Sequence, residues 1–468
     1  MYELKTTIIG VGKIGKEIAA RLWHEGHDLV IIEKNEAKLQ KIEEDLDCHC
    51  IKGSGATAKT LSNPIVAESE LLIAVTNSDE VNMIACMTAK RIGIPRTVAR
   101  IRDPDYSKNL IISKEDLGID LIINPDYSAA MEINRFLTMT LPVHMEPFAR
   151  GRVQLADITV NDSMTIFANK RLMNMDIPGS LLIVAISRNG DMIIPGGRDI
   201  VLPGDTIYLL GHSDIINKIC SKVKKKRQKV QTVMILGGGR TGFYLAERLC
   251  SQGMKVKVIE QNNDRCRELA EKLPEALILC ADGSDLELLR REGIKDTDAF
   301  VTVTGLDEEN LLLALLAKQM GAKRVIAKIS RPGYAPLVEQ LGVDCAISPR
   351  LITTGEVLRF IKGGRLVSLF LLLNEKAEVI ELFVQPRSKI AGRPLHKSGL
   401  PAGTIIGTIM RGNKVIIPQG NDIIKEKDRL VVFALGHNVG IIESMCGLGG
   451  NGREQVTNST DSGSGSTW

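Results

Sequence analysis

Ile8-Ile9-Gly10-Val11-Gly12-Lys13-Ile14-Gly15 stands near the start of the chain, and after an amphipathic run comes Leu29-Val30-Ile31-Ile32-Glu33. An apolar run, a Gly-x-Gly-x-x-Gly turn, a helix and a second apolar run closed by an acid spell one mononucleotide-binding unit. Gly10 permits the tight turn, Gly12 lets the backbone approach a pyrophosphate, and Gly15 lets the helix pack close on the strand. Phosphates then meet the positive end of that helix, where N–H groups are free. Glu33 ends the second strand and can accept hydrogen bonds from ribose hydroxyls.

The unit occurs twice. Ile235-Leu236-Gly237-Gly238-Gly239-Arg240-Thr241-Gly242 repeats the turn, and Val256-Lys257-Val258-Ile259-Glu260 repeats the second strand. Gly10 to Gly237 and Glu33 to Glu260 are both 227 positions. Further along, Val75-Thr76-Asn77-Ser78-Asp79-Glu80-Val81-Asn82 returns as Val303-Thr304-Gly305-Leu306-Asp307-Glu308-Glu309-Asn310, and Thr97 to Ile101 returns as Val325 to Ile329. One fingerprint could arise by chance; two in register point to a duplicated domain.

Composition bounds the reading. A chain of 468 residues exceeds one ordinary core and implies several domains. The formal charge of +4 is too small to indicate nucleic acid. Lys224-Lys225-Lys226-Arg227, with Lys222 and Lys229, reads as a solvated linker. No apolar run reaches the roughly 20 residues of a membrane-spanning helix, and the N-terminus leads straight into the first strand with no signal peptide. The nine cysteines form no Cys-x-x-Cys pair and fit reduced thiols in a cytoplasmic protein. Cys48-His49-Cys50 resembles a metal motif, but consecutive strand residues point to opposite faces.

Strands at His49 to Ile51, Leu71 to Val75, Val98 to Ile101 and Leu121 to Ile123 alternate with helices such as Glu36 to Leu46. The fold class expected is therefore α/β: two doubly wound Rossmann-like parallel sheets, each followed by a small α+β domain. The small domain shows as short β-rich runs, with Leu181 to Ser187 and Asp191 to Ile194 separated by Arg188-Asn189-Gly190 as a hairpin would be. The expected division is 1–124 nucleotide-binding, 125–150 connecting helix, 151–222 small domain and 223–230 basic linker. It then repeats as 231–349, 350–368 and 369–450, with a Gly/Ser/Thr-rich disordered tail at 451–468.

The chain has equipment to bind nucleotide and no visible equipment to use it. A dehydrogenase needs a general acid or base beside the nicotinamide. His212 and His437 fall after the last strands of the small domains, where surface histidines are expected. No nucleophile elbow, metal constellation or Ser–Lys pair stands out, so no catalytic or metal residues are assigned. Arg100, placed mid-strand, is either a fork-shaped clamp on ligand phosphates, its side chain projecting into a wet crevice, or half of a structural ion pair. Lys328 takes its place in the second copy as a point charge. Lys13 and Arg240 lie inside the glycine loops and reach either phosphate or solvent. Thr76 and Asn77 line the ribose or cap a helix. Asp282, after the third strand of the second copy, can accept from an adenine amino group, whereas Ser54 in the first is less suited. Glu33 and Glu260 should disfavour a 2′-phosphate. A soluble NAD-dependent oxidoreductase would need a substrate pocket, and a nucleic-acid-binding redox sensor a basic face; neither is evident.

On the doubled glycine loops, Val75 to Asn82, Ala99-Arg100-Ile101-Arg102-Asp103-Pro104-Asp105-Tyr106 and the hairpin pattern ending Ile417-Pro418, the chain resembles the TrkA family of potassium-uptake regulatory proteins, built as two tandem RCK modules. The resemblance runs from Met1 to about Gly447. It implies a cytoplasmic regulatory subunit that binds NAD(H), or alternatively ATP or ADP. Such a subunit assembles as a homo-oligomeric, tetrameric ring and gates a membrane potassium-conducting subunit of the Trk type at the inner face of the plasma membrane, without nucleic acid. Its nucleotide contacts would fall on Gly10, Val11, Gly12, Lys13, Ile14, Glu33, Thr76, Asn77 and Arg100. In the second half they would fall on Gly237, Gly238, Gly239, Arg240, Thr241 and Glu260, with Gly242 closing the turn and Asp282 and Lys328 as weaker carry-overs. RCK-like modules pair through the helices after the last Rossmann strand, here about Ser128 to Leu137 and Ile352 to Ile361.

Overall fold

The structure, a computed structural model, describes residues 4–103, 106, 116–138, 145–148, 152–175, 177–178, 180–188, 191–223, 230–331, 334, 338, 341–361, 366–372, 377–412 and 414–447. The basic run at 224–227, the hairpin turn at 189–190 and the tail from 451 lie outside the described residues.

In the first half, β1 (Lys5–Ile9), α1 (Lys13–His24), β2 (Asp28–Glu33), α2 (Glu36–Asp45), β3 (His49–Lys52), β4 (Leu71–Ala74), α3 (Asp79–Arg91), β5 (Arg96–Arg100) and β6 (Leu121–Ile123) alternate. Their parallel sheet has the order β3-β2-β1-β4-β5-β6, with Ile8 registered on Ile31 and Ile73. This is the doubly wound order expected, and its strands are continuous apolar runs because helices cover both faces. α1 turns Ile14, Ile18, Ala19 and Leu22 inward. Helix α4 (Pro125–Thr138) follows, starting with a proline. Proline fits there because the first turn has no use for its missing N–H.

The first small domain pairs β7 (Met145–Phe148), β8 (Val153–Thr159), β10 (Leu181–Arg188), β11 (Asp191–Ile193) and β13 (Thr206–His212) in the antiparallel order β11-β10-β13-β8-β7. β9 (Lys170–Arg171) and β12 (Ile200–Val201) make a separate ribbon, and α5 (Ser213–Val223) closes the unit. The expected hairpin is present, with Ile186 opposite Ile193.

The second half repeats this. β14 (Thr232–Leu236), α6 (Arg240–Ser251), β15 (Lys255–Glu260), α7 (Asn263–Lys272), β16 (Leu277–Cys280), β17 (Ala299–Thr302), α8 (Asp307–Gln319), β18 (Val325–Lys328) and β19 (Cys345–Ile347) form a sheet of the same order. Helix α9 (Pro349–Ile361) leads to β20 (Leu366–Leu372), β21 (Ala377–Phe383), β22 (Thr404–Arg411), β23 (Lys414–Ile416), β24 (Arg429–Leu435) and α10 (Val439–Met445).

The halves exchange their crossover helices. Ala129, Ala130, Ile133 and Leu137 of α4 are buried in one core with Phe243, Tyr244 and Leu249 of α6. Val357 and Leu358 of α9 share a core with Ile14, Ile18 and Leu22 of α1 and with Ile380 and Val432 of the second small domain. The apolar faces at 128–137 and 352–361, expected to seek a second copy, are thus covered within the chain. A buried ion pair adds to this docking. The Nη2 of Arg21 on α1 donates to Oε1 of Glu378 on β21 at 2.9 Å, the side chains being 16% and 4% exposed. The two small sheets also face each other, with Leu210, Tyr208 and Val184 packed beside Phe433, Val431 and Met410.

The Arg21–Glu378 pair makes a testable contribution. Arg21→Met removes a partner from a buried carboxylate and should lower stability by about 3 kcal/mol in urea unfolding, whereas Arg21→Met with Glu378→Leu should recover most of the loss. Equal midpoints for wild type and the single variant would contradict this.

Candidate functional site

Each glycine loop is built as its spacing requires. Gly10 has φ +91° and Gly237 φ +106°, the left-handed region where glycine is favoured. A Cβ on Gly15 would overlap the Gly10 carbonyl oxygen, and one on Gly242 would overlap that of Gly237. Around Gly12 and Gly239, by contrast, a Cβ would meet nothing within 4 Å. These residues cap α1 and α6 without any side-chain cap, so no cap side chain takes up the first N–H groups of either helix. Val11, Ile14, Gly238 and Thr241 are buried, so their backbones form the cradle.

The acids hold the loops. Val11 N–H donates to Glu33 Oε2 at 3.0 Å, while Lys34 and Asn35 N–H donate to Oε1 at 2.8 and 3.0 Å. Glu260 accepts in the same way from Gly238 N–H at 2.8 Å and Asn262 N–H at 2.9 Å. Partial burial pushes the Glu33 carboxyl up, but the N–H groups of Asn35, Val11 and Lys34 outweigh it and hold it below the ordinary 4.5.

A cleft opens between the loop, Glu33, Lys34, Lys38, Gly53, Gly55, Thr76 and Asn77. A larger concavity of about 780 Å³, beside Lys90 and Asp120, contains none of the expected site residues. Asn77 is exposed, and its carbonyl accepts from Arg102 Nη2 at 2.6 Å. The cap of α3 is Ser78, so Thr76 is free of that duty. Its Oγ1 donates to Asn82 Oδ1 at 2.8 Å and its N–H to the same atom at 2.9 Å. Asn82 Nδ2 reaches Arg100 O at 2.8 Å, tying the ends of β4 and β5 together, and Asn310 repeats this on Thr304 and Lys328. Asp79 accepts from Arg102 and Asp103 N–H, as Asp307 does from Ser330 and Arg331 N–H. These braces were missed as site residues. Their signal was the register of the repeat, in which Asp79, Asn82, Asp307 and Asn310 are copied unchanged.

Arg100 is the last residue of β5, not a mid-strand residue, and it is half-buried rather than set in wet space. Its Nη1 donates only a long bond, 3.5 Å, to Thr76 O; Nε is buried with no partner, and no described carboxylate forms an ion pair with it. Burial, then Arg102, pushes the guanidinium down to about 10, Arg240 adds repulsion, and Asp126 and Asp79 oppose from a distance. Lys328 is the counterpart. Its Nζ donates to Val303 O at 3.1 Å, and burial lowers its pKa, with Asp126 and Asp307 opposing and Lys13 adding repulsion. Each strand-end cation thus senses the loop cation of the opposite half, because the exchanged helices bring the clefts together. Thr241 Oγ1 is committed across this seam, donating to Asp126 Oδ1 at 2.9 Å. Asp282 is exposed beyond β16 and accepts from Ser284 N–H at 2.8 Å.

Cys48 and Cys50 lie on one face with their sulfurs 3.8 Å apart, in keeping with the reading that consecutive residues of the run, here His49 between them, alternate sides. Burial pushes the Cys48 thiol up to about 12. His212 is only partly exposed, and the side chain of His437 lies outside the described residues. Among the described residues no helix is long and apolar enough to cross a membrane.

Two Rossmann-like sheets, each with an uncapped glycine-loop helix, an acid on the loop backbone and a small β-rich domain behind, define a tandem nucleotide-binding regulatory class of protein. The TrkA-N domain matches residues 6–125 and 233–349, and the TrkA-C domain residues 155–224 and 379–444. Trk system potassium uptake protein TrkA homolog 2 of Methanosarcina mazei is 38% identical over 450 residues, 94% of this chain and 100% of that protein. The TrkA homolog of Archaeoglobus fulgidus is 32% identical over 442 residues, again 94% of this chain and 100% of that protein. The chain belongs to the TrkA family. Its fold is that of the GsuK RCK domain (TM-score 0.61, 18% identity, 95% of each chain) and of the GsuK channel bound to NAD (TM-score 0.59, 17% identity, 95% of this chain and 79% of that one).

The acid–loop contact has a pH signature. Glu33 has a lowered pKa in the fold, so its stabilisation is present above 4.5 and is lost as pH falls through the folded value. Wild type should therefore exceed Glu33→Gln in stability near neutral pH, and the two should converge as pH drops below 4.5. A gap that stays constant across that window in urea titrations would show that the carboxylate does not hold the loop.

Proposed function

We propose that this chain is the regulatory subunit of a Trk-type potassium uptake system. It binds NAD(H), with ATP or ADP as the alternative, in its two Rossmann clefts. Occupancy biases the gating of a membrane potassium-conducting subunit at the inner face of the plasma membrane. One observation carries the nucleotide part: in each half an uncapped glycine-loop helix, with open space beside its cap, lies next to a ribose-spaced acid, and in the first half loop and acid line one cleft. The orphaned Nε of Arg100 fits an anionic ligand as well, since a buried donor left unmade is costly.

In this reading Gly10 to Ile14 and Gly237 to Thr241 offer backbone N–H groups to phosphates, and Glu33 and Glu260 orient ribose. Asn82 and Asn310 position the strand ends. Arg100 and Lys328 supply charge, with Lys13 and Arg240 reaching in from the opposite loops. The repulsion between Arg100 and Arg240, and between Lys328 and Lys13, is relieved when an anion enters, so ligand favours one arrangement of the halves. A homo-oligomer also belongs to the proposal. It is supported by Ile84 and Met87 on α3 and Leu312 on α8, which are 47%, 43% and 57% exposed on corresponding helices of the two halves.

The test is potassium flux through the cognate membrane subunit in vesicles, with and without this chain and NADH. Flux should depend on the chain and respond to NADH. Arg100→Ala should weaken NADH binding by roughly tenfold to a few hundredfold and blunt the response, without lowering the melting temperature. Flux indifferent to the chain, or an Arg100→Ala protein with full affinity for NADH, NAD, ATP and ADP, would contradict the proposal.

A further inference from the structure

The two clefts are not electrostatic copies of each other at the ribose-acid end. In the first, Glu33 is followed by Lys34 and Lys38, and both lysines line the cleft. Neither ammonium has a hydrogen-bond or ion-pair partner among the described residues, whereas the Glu33 oxygens are engaged by three backbone N–H groups. In the second, the matching positions are Gln261 and Arg265. Arg265 is already engaged: its Nε donates to Gly238 O at 2.8 Å, it pairs with Glu268, and its guanidinium sits 5.9 Å from the Phe243 ring centre. After the third strand the first half has neutral Ser54, whereas the second has an exposed Asp282 whose carboxylate accepts from Ser284 N–H. The first therefore sets two exposed cations without hydrogen-bond or ion-pair partners, of which Lys38 acts on Glu33 through its charge, against one engaged carboxylate. The second sets Glu260, with Asp282 beyond its third strand, against a cation that another acid neutralises.

This is the end at which an acid reads an unmodified adenosine ribose and a nearby cation accommodates a 2′-phosphate. We propose that the first cleft also accepts a dinucleotide phosphorylated on its adenosine ribose, whereas the second takes only the unphosphorylated form. The expectation that both acids exclude a 2′-phosphate then holds for Glu260 alone. The inference rests on the nucleotide reading above and assigns Lys34 and Lys38 as its specificity determinants. Exposed charges within about 6 Å each shift the affinity of an added phosphate by only a few-fold, so two attractive charges in one cleft against two repulsive ones in the other should separate them by about 100-fold.

The clefts can be read one at a time in the full chain. Gly12 and Gly239 cap their helices in an extended conformation with open space beside them, so aspartate fits without strain and caps the helix. Its charge then occupies the phosphate position. Gly239→Asp leaves only the first cleft, and Gly12→Asp only the second. In calorimetry, NADH should bind both variants. NADPH should bind Gly239→Asp within about tenfold of NADH and Gly12→Asp about 100-fold or more below NADH. Adding Lys34→Gln and Lys38→Gln to Gly239→Asp should lower its NADPH-to-NADH affinity ratio by roughly tenfold. NADH binding to both variants with NADPH excluded equally from both, or a ratio insensitive to the two lysines, would overturn the inference. If NADH binds neither variant nor wild type, the nucleotide reading itself fails.

Discussion

Ala130, Ile133 and Leu137 are buried against a domain that the chain has yet to make when α4 ends, and Val357 and Leu358 are buried against one it made first. Neither crossover helix could leave that apolar face in water, since each buried aliphatic side chain is worth about 1.5–3 kcal/mol. The exchange therefore locks the Rossmann halves together. It fixes what each cleft can see, because it sets the N-terminus of α4, with Asp126, against Thr241 of the opposite loop. It also seats the second small domain on α1, the helix whose other end meets the glycine loop, through Arg21 and Glu378.

The cradle is a matter of backbone. Gly15 and Gly242 exist so that helix and loop can touch, and Gly12 and Gly239 so that something else can. Two half-buried cations, Arg100 and Lys328, are held at strand ends with long or single hydrogen bonds and no described carboxylate as an ion-pair partner. A fold spends stability to keep such charges, and sites that bind anions are where that expense is expected. Because each faces the loop cation of the other half, the charge at one cleft depends on the position of the other.

Much of this could be read from the residues. The glycine spacing, the two acids and the apolar strands carry their geometry in their chemistry, and the duplication made each reading testable against its copy. What sequence could not supply was partnership over long separations. Arg100 looked like a clamp or half of an ion pair; only the packing puts Asp126 and Arg240 near it and leaves its Nε alone. Thr241 sits in a fingerprint, yet its hydroxyl serves the seam. The helices at 128–137 and 352–361 announced an apolar partner correctly, but amphipathicity does not say whether that partner is a second copy or the same chain. Lys38 and Arg265 differ in consequence because Arg265 is held by Glu268 and the Gly238 carbonyl, whereas the Lys38 ammonium has no such partner among the described residues.

The central claim is that nucleotide sits on both glycine loops and is felt across the interlocked halves. Hydrogen exchange of the full chain, with and without saturating NADH, tests it most directly. Slowed exchange is predicted at Gly10 to Gly15 and Gly237 to Gly242, and also along α4 and α9, which join the halves. Exchange that is unchanged at both loops with NADH, NAD, ATP and ADP would contradict it.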